Sequence, residues 1–182
     1  MKAVLMTRTG EPEVLQTAEA AEPVVTATGI KVQLKAAGIN PIDTKLRRRG
    51  VFYPDALPAI LGCDGAGIVT ETGPDARRFR PGDAVWFCHG GLGGAPGTYA
   101  EYTVLDETGA AAMPPSLDFS AAAALPLVLI TAWEALFDRA RLEQDQTVLI
   151  HAGAGGVGHV AIQLAKAAGA HVATTVSNAE MA

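Results

Sequence analysis

The chain has 182 residues, of which 49% are hydrophobic and 18% are charged, and its formal net charge is -5. This composition supports a sizeable buried core and excludes an intrinsically disordered chain. Proteins that bind nucleic acid by neutralising phosphates are usually basic, so nucleic acid is not an expected partner. The two cysteines, Cys63 and Cys88, are too few for a disulfide framework or a four-cysteine zinc site.

The termini and the apolar segments indicate no membrane association. The longest apolar stretch, Ala121 to Trp133, is too short to span a bilayer and contains Pro126. The N-terminus leads directly into strand-like sequence, without the apolar segment of a secretory signal. We therefore predict a cytoplasmic location.

The first 115 or so residues are predicted to be β-rich. Short strand-like runs alternate with glycine and proline turns, which predicts a small, partly open barrel. The runs are Val4 to Met6, Lys31 to Lys35, Gly67 to Thr72, Ala84 to Phe87 and Tyr99 to Leu105. Two basic clusters, Lys45 to Arg49 and Arg77 to Arg80, are interpreted as solvated, charged loops.

The pattern changes from strand to helix near Ser120. Ser120 is a candidate cap for a helix over Ala121 to Leu125, and Pro126 suits the first turn of the next helix, which extends to about Arg139.

A β-α-β unit is predicted in the remaining residues. A strand over Thr147 to His151 precedes a glycine turn, a helix over Val157 to Ala168 is closed by Gly169, and a second strand covers His171 to Val176. None of the four histidines lies at metal spacing from another, and none is assigned a catalytic role.

The predicted fold is of the mixed class, with a substrate domain over residues 1–120 and the start of a nucleotide-binding domain over residues 121–182. A parallel sheet needs more strands than the two predicted here, and a complete doubly wound domain would need about 100 further residues. The chain is therefore expected to be part of a larger enzyme.

The glycine turn has the pattern GxGxxG and comprises Gly153, Ala154, Gly155, Gly156, Val157 and Gly158. Its position between a strand and a helix is typical of a dinucleotide site. Gly153 is expected to make the tight turn, Gly155 to let a pyrophosphate approach the backbone, and Gly158 to allow close helix–strand packing. The helix N-terminus would supply N–H donors to the phosphates.

The end of the second predicted strand favours NADP over NAD. Sites selective for NAD usually place an acidic residue there, whereas this chain has Ser177 and Asn178, which can donate hydrogen bonds to a 2′-phosphate.

Six segments resemble the medium-chain dehydrogenase/reductase superfamily, in its zinc-independent quinone oxidoreductase (ζ-crystallin-like) branch. The resemblance implies a GroES-like domain followed by a Rossmann domain, and a homodimer. The segments are AAGINPIDTKLRRRG at 36–50, LPAILGCDGAGIV at 57–69, FRPGDAVW at 79–86, GTYAEY at 97–102, AAALPLVLITAWEAL at 122–136 and VLIHAGAGGVGHVAIQLAKAAGA at 148–170.

The resemblance also argues against zinc. The zinc branch has Cys where Asn40 stands and His-Glu where Cys63 and Asp64 stand, so two of the family's ligand types are lost. Cys63 is expected to be a small buried residue. Without a Lewis acid to stabilise an alkoxide, the expected substrates are quinones or α,β-unsaturated carbonyls, reduced by hydride from NADPH.

Individual site residues follow from the same resemblance. It implies that Asn40 and Thr131 lie beside the cofactor, that Tyr53 lies near the substrate, and that Asp43 is structural. Each has an ordinary alternative: a turn asparagine, a helix threonine bonded to its own backbone, and a packed loop tyrosine. The family's lysine for the 2′-phosphate falls at Met181, which weakens the prediction of NADP.

Two other functions stay open. One is an enoyl-thioester reductase of the same superfamily, in which Tyr53 would be an essential acid. The other is a non-enzymatic protein that binds nucleotide or RNA, for which the cluster Lys45 to Arg49 is the only support.

Overall fold

The computed structural model describes residues 1–53 and 56–178. The contacts between residues divide the chain into two compact units, Met1–Pro126 and Leu127–Ala182. Residues 179–182 of the second unit are not described. The functional domains predicted at 1–120 and 121–182 stay a prediction.

The first unit is built from short antiparallel strands, as the spacing of the turns predicts. A five-stranded sheet has the order β7-β3-β5-β6-β8, and a three-stranded sheet has the order β2-β1-β4. The strands are β1 (Lys2–Met6), β2 (Leu15–Glu19), β3 (Gly29–Ala37), β4 (Ala59–Ile60), β5 (Asp64–Thr72), β6 (Ala84–Cys88), β7 (Tyr102–Asp106) and β8 (Ala110–Ala112). Short 3₁₀ turns cover Pro12–Val14 and Glu107–Gly109.

The core of the larger sheet follows from the alternation of side chains along its strands. In β3, Ile30 and Val32 are fully buried, and in β6 Val85 and Phe87 point to the same core while Trp86, between them, is only half-buried. Each such aliphatic or aromatic side chain contributes about 1.5–3 kcal/mol when removed from water. This alternation fixes the register of the sheet, because a shift by one residue would expose the whole set.

The first unit also contains α1 (Pro41–Arg49), which corrects the interpretation of Lys45 to Arg49 as a solvated loop. Pro41 occupies the first helical position and Asn40 the N-cap, so the start signals of a helix are present in the sequence. Arg47 is buried, its guanidinium donates to the carbonyl of Gly10, and it lies near Glu11. The basic run is therefore partly a structural element of the unit.

The second helix of this unit, α2 (Phe119–Ala123), begins two residues earlier than predicted. Its cap is Asp118, whose carboxylate accepts the N–H of Ala121 at 2.7 Å, and not Ser120, which lies within the first turn. Ala122 and Ala123 pack against the sheet together with Trp86.

The hydrogen bonds of Asp106, at the end of β7, can be tested by measuring the pH at which its carboxyl group titrates. Hydrogen bonds from Thr108 and Thr28 lower the pKa of Asp106 from its ordinary value of 3.8 to about 2. Because the pKa is lowered in the folded state, the contribution of this carboxylate to stability is present above about pH 3.8 and is lost as the pH falls through 2. We expect its carboxyl carbon to titrate near pH 2 by NMR, and a Thr28→Val variant to raise that midpoint. A midpoint at the ordinary value in the wild type would contradict the hydrogen-bond assignment.

The second unit has the predicted β-α-β order. It comprises α3 (Pro126–Trp133), a π-helical segment (Glu134–Arg139), β9 (Thr147–Ile150), α4 (Gly156–Ala167) and β10 (His171–Thr174). The strands are parallel, with Thr147 opposite His171 and Ile150 opposite Thr174. Gly169 follows the end of α4 with a φ of 82°, as predicted for a residue past the C-cap.

The helical segment before β9 carries an aromatic pair. Trp133 and Phe137 have ring centroids 4.6 Å apart, and half of the Trp133 surface is exposed. No helix formed by the described residues combines the length and hydropathy that a membrane crossing requires.

Candidate active site

The glycine turn connects the end of β9 to the start of α4 and is held by tight packing at two glycines. A Cβ on Gly153 would stand 2.2 Å from Oγ1 of Thr174, and one on Gly158 would stand 2.3 Å from the carbonyl oxygen of Ala152. Both positions therefore require glycine for close approach. The N–H of Gly155 donates to the carbonyl of Ala152 at 2.9 Å, so Gly153 occupies a central position of the tight turn, as the sequence predicts. Ala152, the residue before it, is left-handed, with a φ of 56°.

The N-terminal end of α4 fits the phosphates of a dinucleotide. Ala154, Gly155, Gly156 and Val157 are exposed, and no side chain caps the helix. A Cβ on Gly155 would approach only the carbonyl oxygen of Ala152, at 3.2 Å, so one side of the turn is open. The first N–H groups of a helix are natural donors to an anion.

A cleft of about 530 Å³ lies at the carboxyl ends of the two parallel strands. Ala154 and Gly155 line it on one side, and Val176 and Ser177 on the other. Asn178 is exposed directly beyond Ser177. None of the described residues that line the cleft is acidic, whereas sites selective for NAD usually have an acid at this strand end. Met181 lies outside the described residues.

Thr175, which follows β10, is hydrogen-bonded to the residues that follow β9. Its Oγ1 accepts the N–H of Ala152 at 3.1 Å, and its carbonyl accepts the N–H of Gly153 at 3.0 Å. Nδ1 of His151 lies 3.4 Å from the same Oγ1. No local sequence signal predicts this arrangement, because the residues that meet are more than 20 positions apart.

Thr131 lies on α3, and its hydroxyl donates to the carbonyl of Leu127 at 2.7 Å. This is the back-bond expected of a helical threonine. The side chain is exposed, and its role beside a cofactor stays a prediction.

In the first unit, Asn40 is buried at the start of α1 and its amide orientation is defined. Nδ2 of Asn40 donates to Oδ2 of Asp64 at 2.9 Å, and Asp64 is fully buried. A carboxylate accepts but does not donate, so it selects the NH₂ side of the amide. This contact joins positions 24 residues apart, and sequence reasoning missed it.

Asp43 links the start of α1 to the loop before β7. Its Oδ2 accepts the backbone N–H of Asn40 at 2.7 Å and the hydroxyl of Tyr99 at 2.8 Å. Burial raises the pKa of Tyr99, and the hydrogen bond to Asp43 raises it further, so this phenol keeps its proton at neutral pH. The structural role predicted for Asp43 agrees with these contacts.

Tyr53 lies in the loop after α1, and 60% of its surface is exposed. One edge of its ring packs near Gly94, where a Cβ would stand 3.2 Å from the ring. The ring therefore has a packed edge, as a loop tyrosine would, and an exposed surface that a substrate could reach.

Cys63 is buried, as predicted, and interacts with Cys88 at the end of β6. A hydrogen bond from the thiol of Cys88 lowers the pKa of Cys63, and the same bond raises that of Cys88. In the described parts of the chain, no three His, Cys, Asp or Glu side chains are grouped so as to hold a metal ion.

Comparison with known proteins identifies both units. Residues 26–115 match the alcohol dehydrogenase GroES-like domain. The quinone oxidoreductase of Salmonella typhimurium is 39% identical over 95% of this chain and 51% of its own length. A phenolphthiocerol synthesis polyketide synthase of Mycobacterium bovis, Pks15/1, is 38% identical over 92% of this chain and 7% of its own length.

Solved structures give the same result. The quinone oxidoreductase of Escherichia coli, crystallised in complex with NADPH, matches all of this chain and 54% of its own with a TM-score of 0.85 and 36% identity. The chain is similar to quinone oxidoreductases of the medium-chain dehydrogenase/reductase superfamily, which confirms the resemblance to them and the β-rich, GroES-like part of the fold class predicted from the sequence. It spans about half the length of these quinone oxidoreductases.

Proposed function

We propose that this protein transfers a hydride from NADPH to a quinone or to an α,β-unsaturated carbonyl compound, without zinc. The observation that carries the proposal is the cleft at the ends of β9 and β10, whose described lining residues include no acid, beside an open glycine turn. The NADPH bound by the similar enzyme of Escherichia coli supports the choice of cofactor.

The residues of the second unit would bind the cofactor. The N–H groups at the start of α4 would hold the pyrophosphate against Gly155, and Ser177 and Asn178 would donate to the 2′-phosphate. Thr131 is proposed to contact the cofactor from α3. The nicotinamide, when bound, supplies the hydride.

The residues of the first unit would act on the nicotinamide ring and on the acceptor. Asp64 holds the amide of Asn40 in one orientation, and a fixed amide can position the ring of a cofactor or an acceptor. The exposed hydroxyl of Tyr53 would donate a hydrogen bond or a proton to the acceptor oxygen.

The proposal that zinc takes no part rests on the residues at the ligand positions. Nδ2 of Asn40 is engaged as a donor to Asp64, and an amide nitrogen does not ligate zinc. A cytoplasmic location and a homodimer are proposed with the function.

A second candidate, reduction of an enoyl thioester, is favoured by the similarity to a segment of a polyketide synthase. The two candidate reactions differ in how strongly they need Tyr53 as a proton donor. An unsaturated thioester must be protonated after hydride transfer, whereas a quinone accepts electrons readily.

The test is the oxidation of NADPH, followed by absorbance, with 1,4-benzoquinone and with crotonyl-CoA as acceptors. We expect turnover with the quinone, and a Tyr53→Phe variant to keep at least about a tenth of the wild-type kcat, because the lost acid contributes less than the 10²–10⁴-fold of an essential one. Turnover with crotonyl-CoA alone, abolished in Tyr53→Phe, would replace the quinone with the thioester. Failure to oxidise NADPH with either acceptor would contradict the proposed function.

A further inference from the structure

His151 lies at the cleft, between the end of β9 and the glycine turn, from which Ala152 separates it. It directly follows β9, its side chain is exposed, and it lines the cleft together with Thr175 and Ser177. Its Nδ1 is the ring nitrogen near Thr175, at 3.4 Å from Oγ1, which leaves Nε2 as the nitrogen for a ligand.

The described residues around the cleft bring no second charge to His151. The described residues that line the cleft include no Asp, Glu, Lys or Arg. On the other side of His151 a second cavity is lined by apolar residues, to which the helical segment contributes Ala132, Ala135 and Leu136. From α4, the titratable group nearest the turn is His159, whose ring contacts the side chain of Gln163. His151 is thus the one ionisable residue in the described lining of the cleft.

We propose that His151 is a specificity-determining residue that attracts the 2′-phosphate of NADPH when its imidazole is protonated. The inference rests on the proposed function, because it assumes that the cleft holds this cofactor. An imidazolium has two N–H donors and a positive charge, and a phosphate monoester carries about two negative charges above pH 6. NADH lacks that phosphate and gains nothing from the charge.

The consequence is a pH dependence confined to one cofactor. Imidazole is the side chain that most readily changes charge around neutral pH, so a rise in pH removes the positive charge while the phosphate stays dianionic. The bound phosphate stabilises the protonated ring, so binding takes up a proton and weakens as the pH rises. A ring whose protonation equilibrium shifts by one pKa unit on binding would change the affinity by at most about tenfold.

The experiment is a fluorescence titration of the full chain with NADPH and with NADH at about pH 6.5 and 8.5. We expect the Kd for NADPH to rise about fivefold between the two pH values, within the tenfold limit set by a one-unit shift, and the Kd for NADH to stay constant. In a His151→Gln variant, which keeps a donor but cannot be charged, the Kd for NADPH should be the same at both pH values. The matched control is His171→Gln, at the opposite, exposed end of β10, which should behave as the wild type.

Two results would overturn the inference while leaving the cofactor assignment intact. One is saturable binding of NADPH whose pH dependence survives in His151→Gln, and the other is an equal pH dependence for NADH. Absence of binding of either cofactor at both pH values would instead contradict the proposed function, and this inference with it. A thermal melt of each variant, expected to match the wild type because both side chains are exposed, excludes misfolding as the cause.

Discussion

A Gly158→Ala variant is expected to lose saturable binding of NADPH and to lower the free energy of unfolding of the second unit by about 3 kcal/mol. The added Cβ would stand 2.3 Å from the carbonyl oxygen of Ala152 and 2.9 Å from Cα of Gly153. Both are backbone atoms, so the turn must open to admit the methyl group. Opening it would displace the N–H groups at the start of α4 that are proposed to hold the pyrophosphate.

The matched control is Gly156→Ala, two residues earlier in the same helix. Its Cβ would meet only Cγ1 of Val128, at 3.3 Å, and alanine favours a helix over glycine by about 1 kcal/mol. Thermal unfolding should therefore show a lower midpoint for Gly158→Ala and an equal or higher midpoint for Gly156→Ala. Equal unfolding midpoints for the two variants would mean that the turn accommodates the added methyl group and that close packing at Gly158 does not determine stability.

An Asp43→Ala variant is expected to lower the free energy of unfolding of the first unit by about 3 kcal/mol, since hydrogen bonds to a charged group contribute about 1.5–3 kcal/mol each. The substitution removes the acceptor of a buried bond from the N–H of Asn40 and of a partly buried bond from the hydroxyl of Tyr99. A Tyr99→Phe variant removes only the second bond and should cost about half as much. Urea unfolding monitored by circular dichroism measures all three proteins.

Thr44 provides the control on the same helix. Its hydroxyl donates to the carbonyl of Pro41 at 2.9 Å but is exposed, so Thr44→Ala should change stability by no more than about 0.5 kcal/mol. A loss in Asp43→Ala no larger than that of Thr44→Ala would show that the buried carboxylate contributes little to the fold.

The β-α-β unit could be predicted because each of its signals is local. Consecutive apolar residues precede the glycines, a helical period follows them, and Gly169 ends the helix, so the predicted bounds differ from the observed ones by one or two residues. The left-handed position at Ala152 could not be predicted, because alanine rarely adopts that conformation and only the surrounding bonds impose it.

The missed features of the first unit have a different physical origin. Helix α1 carries ordinary start signals, but its run of basic residues suggested solvent, and the burial of Arg47 depends on a carbonyl 37 residues away. The pair of Asn40 and Asp64 likewise forms only when β5 packs beside the start of α1. The local sequence pattern carries no information about such contacts, whereas the glycine motif predicts a candidate site in the second unit from adjacent residues alone.

The chain has two tryptophans, and each lies in a different unit: Trp86 against the α2 face of the larger sheet and Trp133 beside Phe137. Each unit therefore carries its own intrinsic fluorophore, one half-buried in a β-sheet and one half-exposed on a helix. A Trp86→Phe protein would emit from the second unit alone, and a Trp133→Phe protein from the first. Spectroscopic signals of cofactor binding and of unfolding could then be assigned to one unit or the other without any added dye.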